Sequence, residues 1–397
     1  MRVSSGMIHD AGVLSMQKQT ASLLHTQQQV ASGRRLLVPS DDPLAAARAL
    51  ELTQARTGNA LMLDNQKAAG EALGIEENSL TAVGDLIDGV RTLAVQAGNA
   101  GLTASDRLSI GNELRQRFSQ LLGLANATDG TGQHLFAGYM AGATPFAGSV
   151  AGGVTYAGDD GQRLMQVSSS RQLAVSDSGN DVFMRIRNGN GTFATAAAAG
   201  NTGSGVIGSG SVVAPFVLDT YTITFAPAGP GLNYTVTGAV SGVVATGAFQ
   251  SGQAIVFNGA SVAIEGTPAA TDQFTVSPSA NQSLFTTIAN LITAVEAPQS
   301  GSNVLLSNQV GAALGNLDQA TDNVLRVRAA VGARMGELDA LAGAGSDRDL
   351  QYAQTLSRLQ DVDYAEAVSR LTQQQTYLEA AQKSFLKVSG LSLFNYV

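Results

Sequence analysis

The chain has 397 residues, 31 of them acidic and 23 basic (formal net charge −8), with no cysteine, no tryptophan and only 14% charged side chains. That length accommodates two or three domains with buried cores. The acidic balance argues against a nucleic-acid partner, which needs a basic face, and the lack of cysteine excludes disulfides and thiolate chemistry.

The opening MRVSSGMIHDAGVLSMQ lacks the apolar run of a secretory leader, and no stretch approaches the roughly 18–20 apolar residues of a membrane span. Export is therefore expected to proceed without a cleaved signal, and membrane insertion is not expected. Met7, Leu14, Ala21 and Leu24 follow a 3/4 spacing, with Gln17 and Gln28 on the same seam. This predicts an N-terminal helix that packs on the C-terminal one or on other molecules.

Residues 30–52, VASGRRLLVPSDDPLAAARALEL, interrupt that pattern with two prolines, three carboxylates and three arginines. Asp41–Asp42 invites a metal or acid/base reading, but the order of residues fits a helix stop and start better. Gly33 suits a helix C-terminus, Pro39 keeps its predecessor extended, Asp42 can cap a helix, and Pro43 fits the first helical position. The stretch is read as a hinge between two helices.

Residues 44–97 are then expected to run as one helix, with Leu73, Leu80, Val83, Ile87, Val90, Ala94 and Ala97 inward and Gly98–Asn99 at its end. A second helix follows with Leu114, Phe118, Leu121 and Ala125 inward. The middle changes period. VTYAGDDGQRLMQV reads as a hairpin about Gly158–Gly161, and DTYTITFAP alternates Tyr221, Ile223 and Phe225. AIVFNGASVAI places Asn258–Gly259 between β-prone runs, the strongest short hairpin signal. No lysine or arginine lies between Arg187 and Arg326, and residues 185–280 read as a separate β-rich insert of low charge.

Helical spacing returns with Leu284, Ile288, Leu291 and Val295, then with Leu317, Ala320, Val324, Val327, Val331, Leu338 and Leu341. The last helix carries Leu371, Leu378 and Phe385, with Gln375 and Gln382 assigned to the same seam. Glutamines at seam positions lower stability while fixing register. The terminal pair is thus expected to be weak alone and completed by neighbouring molecules. The fold class is α+β and multidomain: a long coiled-coil or bundle from both chain ends, with a β-rich middle.

Chemistry finds little support. GSGVIG (Gly203–Gly208) matches a dinucleotide fingerprint literally but lacks a strand before it and a helix after it. His9, His25 and His134 have no metal-ligand spacing, and no nucleophile elbow occurs. No catalytic residue, cofactor or metal is expected, and the chain is not expected to be an enzyme.

MRVSSGMI, SGRRLLVPSDDPLAAARALEL, HLFAGYMAGATPF and the ending DVDYAEAVSRLTQQQTYLEAAQKSFLKVSGLSLFNYV together resemble the flagellin superfamily over roughly residues 1–150 and 281–397. The PSDDP form with both prolines, and LFAG followed by Pro-Phe, are most similar to its hook–filament junction branch. The resemblance implies a structural protein exported unfolded through the flagellar type III apparatus, with a cytoplasmic export chaperone on its C-terminal region. It also implies one ring of like subunits between hook-associated protein 1 and flagellin, outside the cell. Residues 1–42 with 355–397 would form the inner tube layer, 43–150 with 281–354 a helical bundle with a hairpin, and 151–280 an outward insert. The filament subunit itself, or a surface-binding module carried on a helical anchor, are the alternatives.

Overall fold

The computed structural model describes residues 5–229, 231–298 and 303–390. The motif ends MRVS and LSLFNYV lie outside them. Contacts group the chain into two compact units, Met1–Asp64 with Ala340–Val397, and Asn65–Asp339. The division falls inside two long helices. The start of one and the end of the other stay clasped near the terminal pair, through Arg56 on Asp349 (2.8 and 3.2 Å) and the Asn59 amide on the Gly345 carbonyl (2.8 Å).

Three helices open the chain: α1 (Ser5–Ser32), α2 (Pro43–Ala97) and α3 (Ala104–Ala125). Thr103 caps α3 in a reciprocal capping box with Asp106. Three more close it: α4 (Leu284–Glu296), α5 (Val304–Gln360) and α6 (Tyr364–Gly390). In the second unit every inward residue predicted for α2, α3 and α4 is buried, as are Leu317, Ala320, Val324, Val327, Val331 and Leu338 of α5. Four helices thus share one apolar seam built largely from Leu, Val and Ala.

Two short hairpins lie between the helices and the insert: β1 (Phe146–Ser149) with β2 (Gly153–Tyr156), and β3 (Leu164–Ser168) with β4 (Arg171–Ala174). The segment about Gly158–Gly161 is therefore no hairpin turn, because its flanking strands each pair elsewhere. Asp159 bends it instead, accepting from the Gly161 N–H (2.7 Å) and the Tyr139 N–H (3.0 Å). A π-helical turn, Asn180–Met184, precedes β5 (Ile186–Arg187).

The LFAG and Pro-Phe residues have a packing role. Phe136 and Phe146 meet Phe183 edge-on (ring centres 5.2 and 5.4 Å apart), and Phe285 of α4 closes the group against Phe118 of α3 (5.8 Å). All five rings are buried. This cluster welds the hairpin region to the bundle.

The insert continues with β6 (Phe193–Ala197), β7 (Val206–Ile207), β8 (Ser211–Val212), β9 (Tyr221–Ala228) and β10 (Gly231–Gly238). It ends with β11 (Gly242–Ala248), β12 (Ala254–Phe257), β13 (Ala260–Glu265), β14 (Gln273–Pro278) and β15 (Asn281–Gln282). One sheet has the order β11-β10-β9-β14-β6, and a second has β12-β13-β7 with β8 also on β13. The two share one core that includes Tyr221, Ile223, Phe225, Phe257, Val262 and Phe274. Alternation along β9 buries the three residues the sequence indicates. The β12–β13 turn carries Asn258 at φ 41° and Gly259 at φ 86°, the left-handed pair that Asn-Gly supplies. The Gly203–Gly208 run contains β7 and no helix follows it.

Strand β15 pairs with β5, so the insert leaves and rejoins the bundle at one point, Arg187 opposite Asn281. Replacing residues 188–280 by a short turn is therefore expected to leave the helical part folded, with its circular-dichroism helix signal retained. Loss of that signal would show that the bundle depends on the insert.

Candidate assembly surface

Helix α1 pairs with α6, and the pairing sets glutamines within an otherwise mostly apolar contact. Its inward stripe on α1 runs Gly12, Met16, Gln19, Leu23, Thr26 and Val30, spaced 4-3-4-3-4. The facing stripe on α6 is Leu371, Gln374, Leu378, Ala381 and Phe385, all half-buried. The ring of Phe385 lies so close over Gly12 that a Cβ there would stand 2.8 Å from it, and it also tilts against His9 (centres 5.0 Å). The Gln374 amide donates to Ser22 Oγ at 2.9 Å. The Oε1 atoms of Gln19 and Gln374 are buried without a hydrogen-bond partner. Each such orphaned acceptor costs about 1–3 kcal/mol. Two of them in one pair lower its stability relative to an all-apolar contact.

Of the predicted seam residues, Leu371, Leu378 and Phe385 face into this pair. Gln375 and Gln382 do not; they are exposed, one position off the inward stripe, and Gln374 takes the inward place. Leu14, Ala21 and Leu24 also lie elsewhere, on the outer face of α1. Met7 is 65% exposed, Leu14 52% and Leu24 53%. The 3/4 spacing groups these residues on a face left exposed, while α1 carries a second stripe of similar polarity that is used within the chain. A shallow groove of about 440 Å³ runs along the outer face, lined by Val13, Met16, Gln17, Thr20, Ala21 and Leu24. On α6, Tyr364, Val368, Tyr377 and Leu386 are likewise exposed.

In the connector after α1, Gly33 turns the chain at φ 69°, with Tyr364 Oη 3.0 Å from where a Cβ would sit. Pro39 lies in the exposed loop, Asp42 Oδ1 accepts from the Ala45 N–H (3.0 Å), and Pro43 opens α2. Asp41 is no ligand. Its carboxylate accepts from the Val38 and Leu37 N–H groups (3.1 and 2.9 Å) and meets His25 Nε2 at 3.1 Å. Those backbone donors, Val38 first, hold its pKa below the ordinary carboxylate value of 3.8. The clamp is thus complete above that value and is lost as the pH falls below it.

Sequence spacing did not reveal that this connector is stitched to the one between α5 and α6. The Arg35 N–H donates to the Gln360 carbonyl (2.6 Å), the Val362 N–H donates to the Gly33 carbonyl (3.0 Å), and the Arg34 and Asp361 backbones form an isolated antiparallel β-bridge. Asp363 then caps α6 by accepting from the Ala365 N–H at 2.9 Å. Gly33→Ala is expected to cost about 1–2 kcal/mol from the positive φ alone, and Asp42→Ala about 1 kcal/mol from the lost cap. Both are checked by thermal unfolding of the full chain. An unchanged midpoint in either would contradict the corresponding contact.

The surface is a set of helix faces with no concentration of reactive groups; among the described residues no three His, Cys, Asp or Glu side chains converge as for a metal. Its likeness lies with assembly proteins. Residues 3–141 match the bacterial flagellin N-terminal helical region, and residues 314–397 the bacterial flagellin C-terminal helical region. The flagellar hook-associated protein 3 of Salmonella typhimurium is 27% identical over 398 residues, 99% of each chain. The crystal structure of the flagellar junction protein FlgL from Legionella pneumophila is 33% identical, with a TM-score of 0.73, over 79% of this chain and 100% of that one. The chain belongs to the hook-associated protein 3 family.

As a member of the hook-associated protein 3 family it is a structural component of the bacterial flagellum, exposed outside the cell. Xanthomonas campestris FlgL gives a second structural match, 30% identical with a TM-score of 0.70 over 79% of this chain and 99% of that one. The match to the Salmonella family member spans the insert as well as the ends. The resemblance read from motifs at 1–150 and 281–397 therefore understates its extent, because the insert holds its fold with alternating apolar strands and few fixed motifs.

Proposed function

We propose that this chain is the adaptor that joins hook-associated protein 1 to the flagellin filament, as a single ring of like subunits. Its terminal helices, α1 and α6, would form the inner layer of the tube, α2–α5 the next layer, and the insert would face outward. Delivery would be through the flagellar type III export apparatus, with a cytoplasmic export chaperone holding the C-terminal region until then. The supporting observation is the exposed apolar stripe Met7, Leu14, Ala21 and Leu24 beside a glutamine-bearing intrachain pair. Such a helix gains most of its stability only when like subunits cover it, at roughly 25 cal/mol per Å² of apolar surface.

The reading is tested by a strain lacking this chain. It is expected to build hooks and to shed monomeric flagellin into the medium, with motility restored by the intact gene. Normal filaments in that strain would reject the adaptor role. Filament growth from the purified chain alone would favour a filament subunit instead.

A further inference from the structure

One group of charges inside the second unit plays no part in the helix faces described above. Glu76 of α2 is 1% exposed, and its Oε1 accepts from the Asp177 N–H at 3.0 Å while its Oε2 is buried with no partner. Asp177 is buried as well and is held by Arg334 of α5 and by the Gln162 amide (2.7 Å). Arg334 also donates to the Ala174 carbonyl at 3.1 Å. Two carboxyls and one guanidinium thus occupy a largely buried site, with side chains 13% (Arg334) and 12% (Asp177) exposed, where a second negative charge has no counterion of its own.

The other charged groups around the site are already engaged. Arg163, at the start of β3, donates to Gln133 (2.7 Å) and lies 3.9 Å from Asp129. Glu77, the next residue on α2, is taken by Arg328 of α5 at 2.6 Å, and Arg171 of β4 by Glu337 at 2.7 Å. The segment this group secures, Val175–Met184, leads directly into β5 and the insert. Its middle is held by the Gly179 N–H on the Phe136 carbonyl (2.9 Å) and by Ser178 Oγ on the Asp159 carbonyl (3.1 Å). Its far end is held by the buried Val182 and Phe183, by the Asn180 amide on Asp160 (2.9 Å) and by the Asn323 amide on the Asp181 and Val182 carbonyls (2.9 and 3.0 Å).

We propose that Glu76, Asp177 and Arg334 form a pH-operated catch that holds Val175–Met184, the root of the insert, on the helical bundle and loosens as the medium becomes alkaline. Burial first, and the Asp177 charge second, push the Glu76 carboxyl from its ordinary 4.5 up to about 8. The sign follows from that direction. Below 4.5 the group is protonated whether the segment is docked or open, and docking is at its strongest. Between 4.5 and about 8 the open form gains by releasing the proton, and above about 8 the loss levels off.

The test is hydrogen exchange of residues 175–184 in the full-length chain, normalised to intrinsic amide rates, across that range. Protection is expected to fall by up to about tenfold per pH unit and then to level off near 8. Glu76→Gln keeps the acceptor for the Asp177 N–H and is expected to abolish the slope. Asp177→Asn frees Arg334 for Glu76 and is expected to move the levelling-off point to lower pH. A flat wild-type profile, the same slope in Glu76→Gln, or an unmoved profile in Asp177→Asn would each overturn the catch.

Discussion

Replacing Leu14 and Leu24 together by aspartate is expected to abolish filament attachment while leaving the free chain as stable as before. Both side chains are more than half exposed on the outer face of α1. Surface changes away from packed features usually fall within about 0.5 kcal/mol. In the proposed assembly the same two positions lie between subunits, where a buried leucine contributes about 1.5–3 kcal/mol and an unpaired carboxylate costs more than that leucine gives. The loss recurs in every subunit of a ring. Swarming and the amount of flagellin shed into the medium give the readout, with thermal unfolding of the purified variant as the control. Normal motility would mean that this face is not used, and a large drop in unfolding midpoint would mean that it is used within the chain.

Phe183→Ala is expected to destabilise the second unit by about 3–5 kcal/mol, as truncation of a fully buried aromatic does when its surroundings cannot collapse. Phe183 is 0% exposed and lies among Phe136, Phe146 and Phe285, with ring centres 5.2, 5.4 and 6.2 Å away. Those partners come from a loop, a hairpin and a helix, and Phe146 and Phe285 also meet directly (5.5 Å), which holds them in place around the gap. The measurement is denaturant unfolding followed by near-ultraviolet circular dichroism, which reports tyrosine and phenylalanine packing in this tryptophan-free chain. A loss below about 1 kcal/mol would show that the cluster relaxes freely, contrary to the close packing of protein interiors.

The helical bundle was legible residue by residue because a single apolar stripe on each helix has one place to go. The Asn258–Gly259 turn and the alternation along β9 were legible for the same reason: local geometry and burial pointed the same way. Helix α1 was not, since the stripe through Met7, Leu14, Ala21 and Leu24 and the one through Met16, Gln19, Leu23 and Val30 are about equally apolar, and the chain buries the second. Periodicity reports which residues share a face; it carries no information on whether the partner is the same chain or another copy. On α6 the spacing 371, 374, 378, 381, 385 would have placed Gln374 inward, but Gln375 sits one step along and reads as plausibly in a run of three glutamines.

The aromatic cluster and the loop at Gly158–Gly161 were hidden for another reason. Phe136, Phe146, Phe183 and Phe285 are scattered over 150 residues, and nothing in local pattern says that they converge. The Asp159 clamp is a side-chain-to-backbone contact across 20 residues to Tyr139, which makes a Gly-Asp-Asp-Gly run look like a hairpin turn while it serves as a brace. Asp41 behaves alike at the α1–α2 connector. In both places a carboxylate suggestive of chemistry satisfies backbone donors in a sharp bend.

A single cysteine placed at position 24 reads the central claim with little ambiguity, because the native chain has none. Leu24→Cys is expected to react readily with a maleimide on the purified free chain and to be shielded from it in intact flagella. Equal reactivity in both states would contradict an outer α1 stripe reserved for neighbouring subunits.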